Sequence, residues 1–137
     1  MEKTLILYPA IGMMILTLFA YVKSYLDFVK AKKSNAIEFS YFKTYQGEIP
    51  DYVNVSRQTL KNQFELPVFF YFLISIILVF DNVSQLDLIL AWLFSVSRYL
   101  HCYIRLSSNY VPYRGKIFQL SMLILIAWWI IFLYNIL

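Results

Sequence analysis

Four stretches of this chain are apolar and long enough to cross a bilayer: about Leu5 to Phe28, Thr59 to Phe80, Leu86 to Leu106 and Arg114 to Leu137. A hydrocarbon core about 30 Å thick is crossed by roughly 20 helical residues. Inside it every backbone N–H and C=O must find a partner within the protein, so only helices and closed barrels span. Runs of this length predict an all-α membrane protein, a four-transmembrane-helix bundle, with residues 1–137 as one domain. Composition agrees: charged residues make up 15% of the chain, against about 25% in an ordinary soluble domain. The N-terminal run lacks a cleavage signal and is long enough to remain as a span. A bundle this small has little interior, so polar groups on its helices are expected to meet partners in other subunits.

The connections set the orientation. The first, about 30–58, holds Lys30, Lys32, Lys33 and Lys43 against Glu38, Glu48 and Asp51, with Phe39, Tyr41, Phe42, Tyr45 and Tyr52 suited to the headgroup region. Gly47 and Pro50 oppose helix there, and the stretch reads as one long loop, functional or merely solvated. The connection from Asp81 to Asp87 has acids and no base. The positive-inside rule then puts the first and third connections in the cytoplasm and both termini outside. Trp128, Trp129 and Tyr134 read as interface anchors near the far end of the fourth span.

Polar residues within the spans mark candidate sites, because ionised groups in lipid are costly. Asn62 and Glu65 share a helix face at i and i+3, and Pro67 removes the bond to the Gln63 carbonyl and bends the second span. Arg98, His101 and Arg105 form one polar stripe near the end of the third span. Arg114 opens the fourth. All these ends fall on the cytoplasmic side, which predicts one polar pocket at the end of an apolar bundle. Lys23 and Asp27 sit at i and i+4 and suit a snorkelling pair; alternatively Lys23 or Lys30 reaches an anionic ligand.

Arginine and histidine in excess over carboxylate favour an anionic ligand, and Glu65 among them suits one that also carries an ammonium group. A lipid-facing wall admits a lipophilic second molecule. Other chemistries are weaker. A single histidine gives no metal site, and three glycines give no phosphate loop. The net charge of +4 belongs to cytoplasmic loops, not a nucleic-acid surface. The lone Cys102 forms no internal disulfide; beside His101 it points about 100° away along a helix, which suits a small packing residue better than a nucleophile. A small transporter subunit would need a polar path across the membrane, and the outer halves of the spans are too apolar for one.

Two motifs carry a resemblance: Arg57-x4-Asn62-x2-Glu65-x-Pro67, and Arg98-x2-His101 followed by Pro112-x-Arg114 and Phe118. In this topology they resemble the membrane-associated proteins in eicosanoid and glutathione metabolism, over nearly the whole chain. The resemblance implies a homotrimer with glutathione as co-substrate between subunits near the cytosolic face, no metal, and membrane lipids and a lipophilic substrate as partners. It implies that Asn62 and Glu65 hold the peptide, that Arg57, Arg98, His101 and Arg105 line the site, and that Arg114 stabilises the thiolate. Arg105 stands where better-known members have a tyrosine, Gln58 where they have an arginine, and Gly115 where some have a serine. These departures are similar to a divergent bacterial-type member of an inner membrane. The family also includes non-catalytic members that bind lipids and serve partner proteins.

Overall fold

The computed structural model describes residues 3–45 and 47–136, and every regular element among them is helical. A 3-10 turn over Lys3–Ile6 leads into α1 (Leu7–Lys33). Then come α2 (Tyr41–Thr44), α3 (Asp51–Lys61), a 3-10 turn at Asn62–Phe64, α4 (Leu66–Val79), α5 (Gln85–Leu106) and α6 (Val111–Ile136). Among the described residues three helical stretches are long and apolar enough to cross a membrane: Lys3–Lys33, Asp51–Val79 and Val111–Ile136. The 22 residues of α5 include Asp87, Arg98 and Arg105, and α5 is not one of the three.

The long loop expected over 30–58 contains helix over residues 30–33, 41–44 and 51–58. α1 continues through Lys30, Lys32 and Lys33, whose charges suit the negative end of a helix. Pro50 starts α3 instead of breaking it: it sits at the N-cap with ψ 139°, and Asp51 follows in the first turn, where an acid is favoured. Val53, Ser56 and Thr59 then share the buried face of α3, which lies along α1. The irregular connection shrinks to residues 34–50, with α2 inside it.

The second span also differs from a continuous helix bent at Pro67. The break falls earlier, at Asn62–Glu65, and Glu65 takes φ −93° and ψ −96°. Pro67 lies in the first turn of α4, where a missing N–H costs no helical bond. Likewise Pro112 lies in the first turn of α6, which begins at Val111, three residues before the expected start of the fourth span at Arg114.

The core joins α1, α4, α5 and α6. Phe70 stacks on Phe94 with ring centroids 4.7 Å apart and meets Trp128 edge-on at 6.0 Å. Trp128, expected as an interface anchor, is wholly buried, and its Nε1 donates to Asp87 Oδ1 at 2.7 Å. A buried indole N–H needs an acceptor, and Asp87 supplies one while it also closes a capping box with Ser84 at the start of α5. Trp129 packs on the rim of the core, and Tyr134 stays exposed. From α5, Tyr99 Oη donates to the Gly12 carbonyl at 2.6 Å and Ser95 Oγ to the Pro9 carbonyl at 3.3 Å, so the start of α1 is hydrogen-bonded to its neighbour. Outward faces are apolar: Leu7, Ile11, Met14, Leu18 and Val22 on α1, and Leu123, Ile126, Ile130 and Leu133 on α6, are all exposed. Apolar surface this extensive belongs against lipid or another subunit.

Candidate functional site

The break between α3 and α4 is the frame of the site. Where a helix is interrupted, carbonyls in its last turn lose their intrahelical partners. One of these is the Asn62 carbonyl, which accepts from Arg98 Nη2 of α5 at 3.0 Å. Arg98 is wholly buried, and its guanidinium lies over the Phe118 ring of α6 at 5.7 Å. His101, 3% exposed, packs against the same ring with centroids 5.8 Å apart.

One turn further along α5, Arg105 Nη2 donates to Gln58 Oε1 at 2.5 Å. Gln58 is held in turn, its Nε2 donating to Asn54 Oδ1 at 3.1 Å. With the Asn62 amide oriented to satisfy both neighbours, its oxygen accepts from Arg105 Nη1 at 2.9 Å and its nitrogen donates to Glu65 Oε2 at 3.2 Å. Asn54, Gln58 and Asn62 are spaced by four residues, so α3 and its C-cap present three amides on one face. The result is a polar chain from Asn54 to Glu65 across the end of α5.

Asn62, Glu65, Arg98 and Arg105 therefore meet, with His101 beside them. Arg114 is half-buried at the start of α6; it donates to Asn109 Oδ1 in the preceding turn and is close enough for its charge to act on His101 and Arg105. Arg57 is not part of this cluster. Its Nη1 donates to Tyr41 Oη, and its guanidinium lies over the rings of Tyr41 and Tyr45, at 5.4 and 4.5 Å. Neighbouring helix residues point about 100° apart, and it is Gln58 that faces Arg105. In the sequence Gln58 stands out only as a departure from a pattern; its spacing of four from Asn62 is the signal that places it on the same face. Two of the three departing positions, Gln58 and Arg105, touch each other.

Neither Arg98 nor Arg105 has a carboxylate bonded directly to it among the described residues. Arg98 Nε and Nη1, Arg105 Nε and both amide atoms of Gln63 are buried without a hydrogen-bond partner. Glu65 is the nearest acid, joined to Arg105 only through the Asn62 amide. Two cations held by neutral oxygens in a low-dielectric interior attract an anion. Beside them an apolar groove of about 540 Å³ runs between α1 and α5, lined by Leu16, Phe19, Tyr99, Cys102, Tyr103 and Leu106. Cys102 connects the two regions: it borders the groove and lies within range of the charges of Arg98 and Arg105. Lys23 and Asp27 form the expected pair at 2.5 Å on α1, with Asp27 buried.

A family model, that of the MAPEG family, matches residues 6–134. No match was found among curated proteins or among solved structures.

Proposed function

The chain belongs to the MAPEG family, and from that premise we propose a glutathione-dependent transferase or peroxidase, embedded in the membrane and acting on lipophilic electrophiles. The observation that carries this reading is the meeting of Arg98, Arg105, Asn62 and Glu65 beside an apolar groove. Glu65 is exposed and suits the α-ammonium group of glutathione. Arg98 and Arg105 suit its carboxylates, and His101 packs beside them. The groove suits the lipophilic substrate.

Arg114 is assigned the thiol. A guanidinium beside sulfur favours the thiolate, which is the nucleophile. In conjugation the thiol proton leaves to solvent and sulfur bonds to the electrophilic carbon. The displaced group departs with the bonding pair, or an opened ring oxygen takes up a proton. The assembly proposed is a homotrimer of four-helix subunits with α5 as the remaining span, glutathione lying between neighbours. The polar end faces the cytoplasm of a bacterial inner membrane, with both termini outside. Supporting this orientation, Lys30, Lys32, Lys33, Arg57, Lys61, Arg114 and Lys116 lie toward the polar end, whereas Asp81 and Asp87 lie at the other.

One contact favours a second reading, a non-catalytic lipid-binding member of the same fold: Arg114 is bonded to Asn109 and must turn away from it to reach a thiol. Titration of the detergent-purified protein with glutathione separates the two, with thiolate absorbance followed in the ultraviolet beside an Arg114→Ala control. A thiolate signal near neutral pH that vanishes in the variant is the enzyme's signature. Binding without thiolate leaves a glutathione holder. No binding at millimolar glutathione moves the assignment to the lipid-binding reading.

A further inference from the structure

Arg57 belongs to a second pocket. A cavity of about 270 Å³ lies where α1, α2 and α3 meet, and its walls include Tyr21, Phe28, Phe42, Tyr45, Arg57 and Leu60. The connection after α1 is shaped around this arginine. Phe42 meets Phe28 edge-on at 4.8 Å, which ties α2 to α1. Tyr45 closes α2 in the left-handed region at φ 56°, a conformation bulky residues rarely adopt, and its ring lies over the guanidinium. Tyr41 takes one of the arginine's N–H groups. The guanidinium has five.

Among the described residues no carboxylate pairs with this charge. The ion pairs among the described residues are Lys3–Asp81 and Lys23–Asp27. Lys30 and Lys32 are steered instead onto the rings of Tyr52 and Phe39, at 5.0 and 4.3 Å. An arginine with no ion-pair partner among the described residues, set among aromatic side chains at the end of membrane-crossing helices, is complementary to acidic lipid headgroups. The apolar surface also continues away from Arg57: exposed Tyr25 and Tyr21 follow along α1, and Tyr21 meets exposed Phe64 edge-on at 5.9 Å. A soluble anion has no use for that path; an acyl chain does.

We propose that the pocket around Arg57 is a binding site for an anionic phospholipid. The phosphodiester accepts from N–H groups of the Arg57 fork other than the one bonded to Tyr41, Lys30 and Lys32 in the last turn of α1 add positive charge at the same end of the bundle, and the first part of an acyl chain lies along Tyr25, Tyr21 and Phe64. The site is separate from the Arg98–Arg105 cluster and does not rest on the glutathione reading.

The test is native mass spectrometry of the full chain in detergent, titrated with phosphatidylglycerol or phosphatidylcholine of matched acyl chains. Wild type should retain phosphatidylglycerol about five- to tenfold better than phosphatidylcholine, the gain expected of a directed phosphate contact plus net charge at a membrane surface. Arg57→Gln should erase the preference and Arg57→Lys keep part of it. Tyr45→Leu, which frees the guanidinium from its ring, should weaken it and carries the test should Arg57→Gln fail to fold. Glutathione binding should be unchanged in Tyr45→Leu. Equal retention of the two lipids by wild type overturns the proposal, as does a preference that survives both Arg57→Gln and Tyr45→Leu. Displacement of the lipid by millimolar inorganic phosphate also overturns it, because the site would then be one for a soluble anion.

Discussion

Arg98 of α5 donates to the backbone carbonyl of Asn62 across the broken α3–α4 connection, at 3.0 Å. The arginine thereby supplies a partner at the helix interruption that frames the site. It is a structural cap as well as a candidate ligand contact. Arg98→Ala should therefore cost about 1–3 kcal/mol, the penalty of leaving a buried acceptor unpaired, and should loosen residues 62–65 specifically. Amide hydrogen exchange on the detergent-solubilised protein reads this directly. Protection across 62–65 unchanged from wild type would remove the capping role.

Gln58 holds Arg105 by a neutral amide oxygen at 2.5 Å. Gln58→Glu keeps the shape and the bond from Arg105 but pairs the guanidinium with a carboxylate, and the Asn54 amide turns over so that its nitrogen donates to the new oxygen. Glutathione binding should then weaken about tenfold, the equivalent of 1.4 kcal/mol, with thermal stability retained. Calorimetric titration of both proteins decides it; unchanged affinity would mean that Arg105 does not meet the ligand.

Asp87 accepts from both Ser84 N and Ser84 Oγ at the cap of α5 and from the indole of Trp128. Asp87→Ala should cost about 1 kcal/mol for the lost cap, and about 1–3 kcal/mol more for the orphaned indole. Trp128→Phe gives up the indole bond and some packing while leaving the cap intact. If unfolding midpoints show Asp87→Ala to be the milder change, the cap and the indole bond are not both formed.

Lys23 and Asp27 test the cost of an uncompensated charge within a span. Lys23→Leu alone leaves a buried carboxylate without its partner and should destabilise by about 1 kcal/mol or more, the range for breaking a partly buried pair. Lys23→Leu with Asp27→Leu should recover most of that loss. A double variant as unstable as the single would show that the pair itself, not the stranded charge, matters.

Hydropathy was enough to place helices in all four apolar stretches, because satisfying the backbone in lipid permits almost nothing else. Counting along those helices also brought Asn62, Glu65, Arg98, His101, Arg105 and Arg114 to one end, since distance along an axis follows from residue number at 1.5 Å per residue. What the sequence did not fix was direction around each axis and partners across it. Arg57 and Gln58 are adjacent, yet one faces the aromatic pocket and the other Arg105. Trp128 and Trp129 are adjacent, yet only one is wholly buried. The helical character of residues 51–58 was hidden by Pro50 and by polar composition, and it is packing against α1 that buries Val53 and Ser56. Axial position is local and additive, so sequence determines it. Rotation about the axis is settled by the packing of all the helices together, and that was decided only by the tertiary structure.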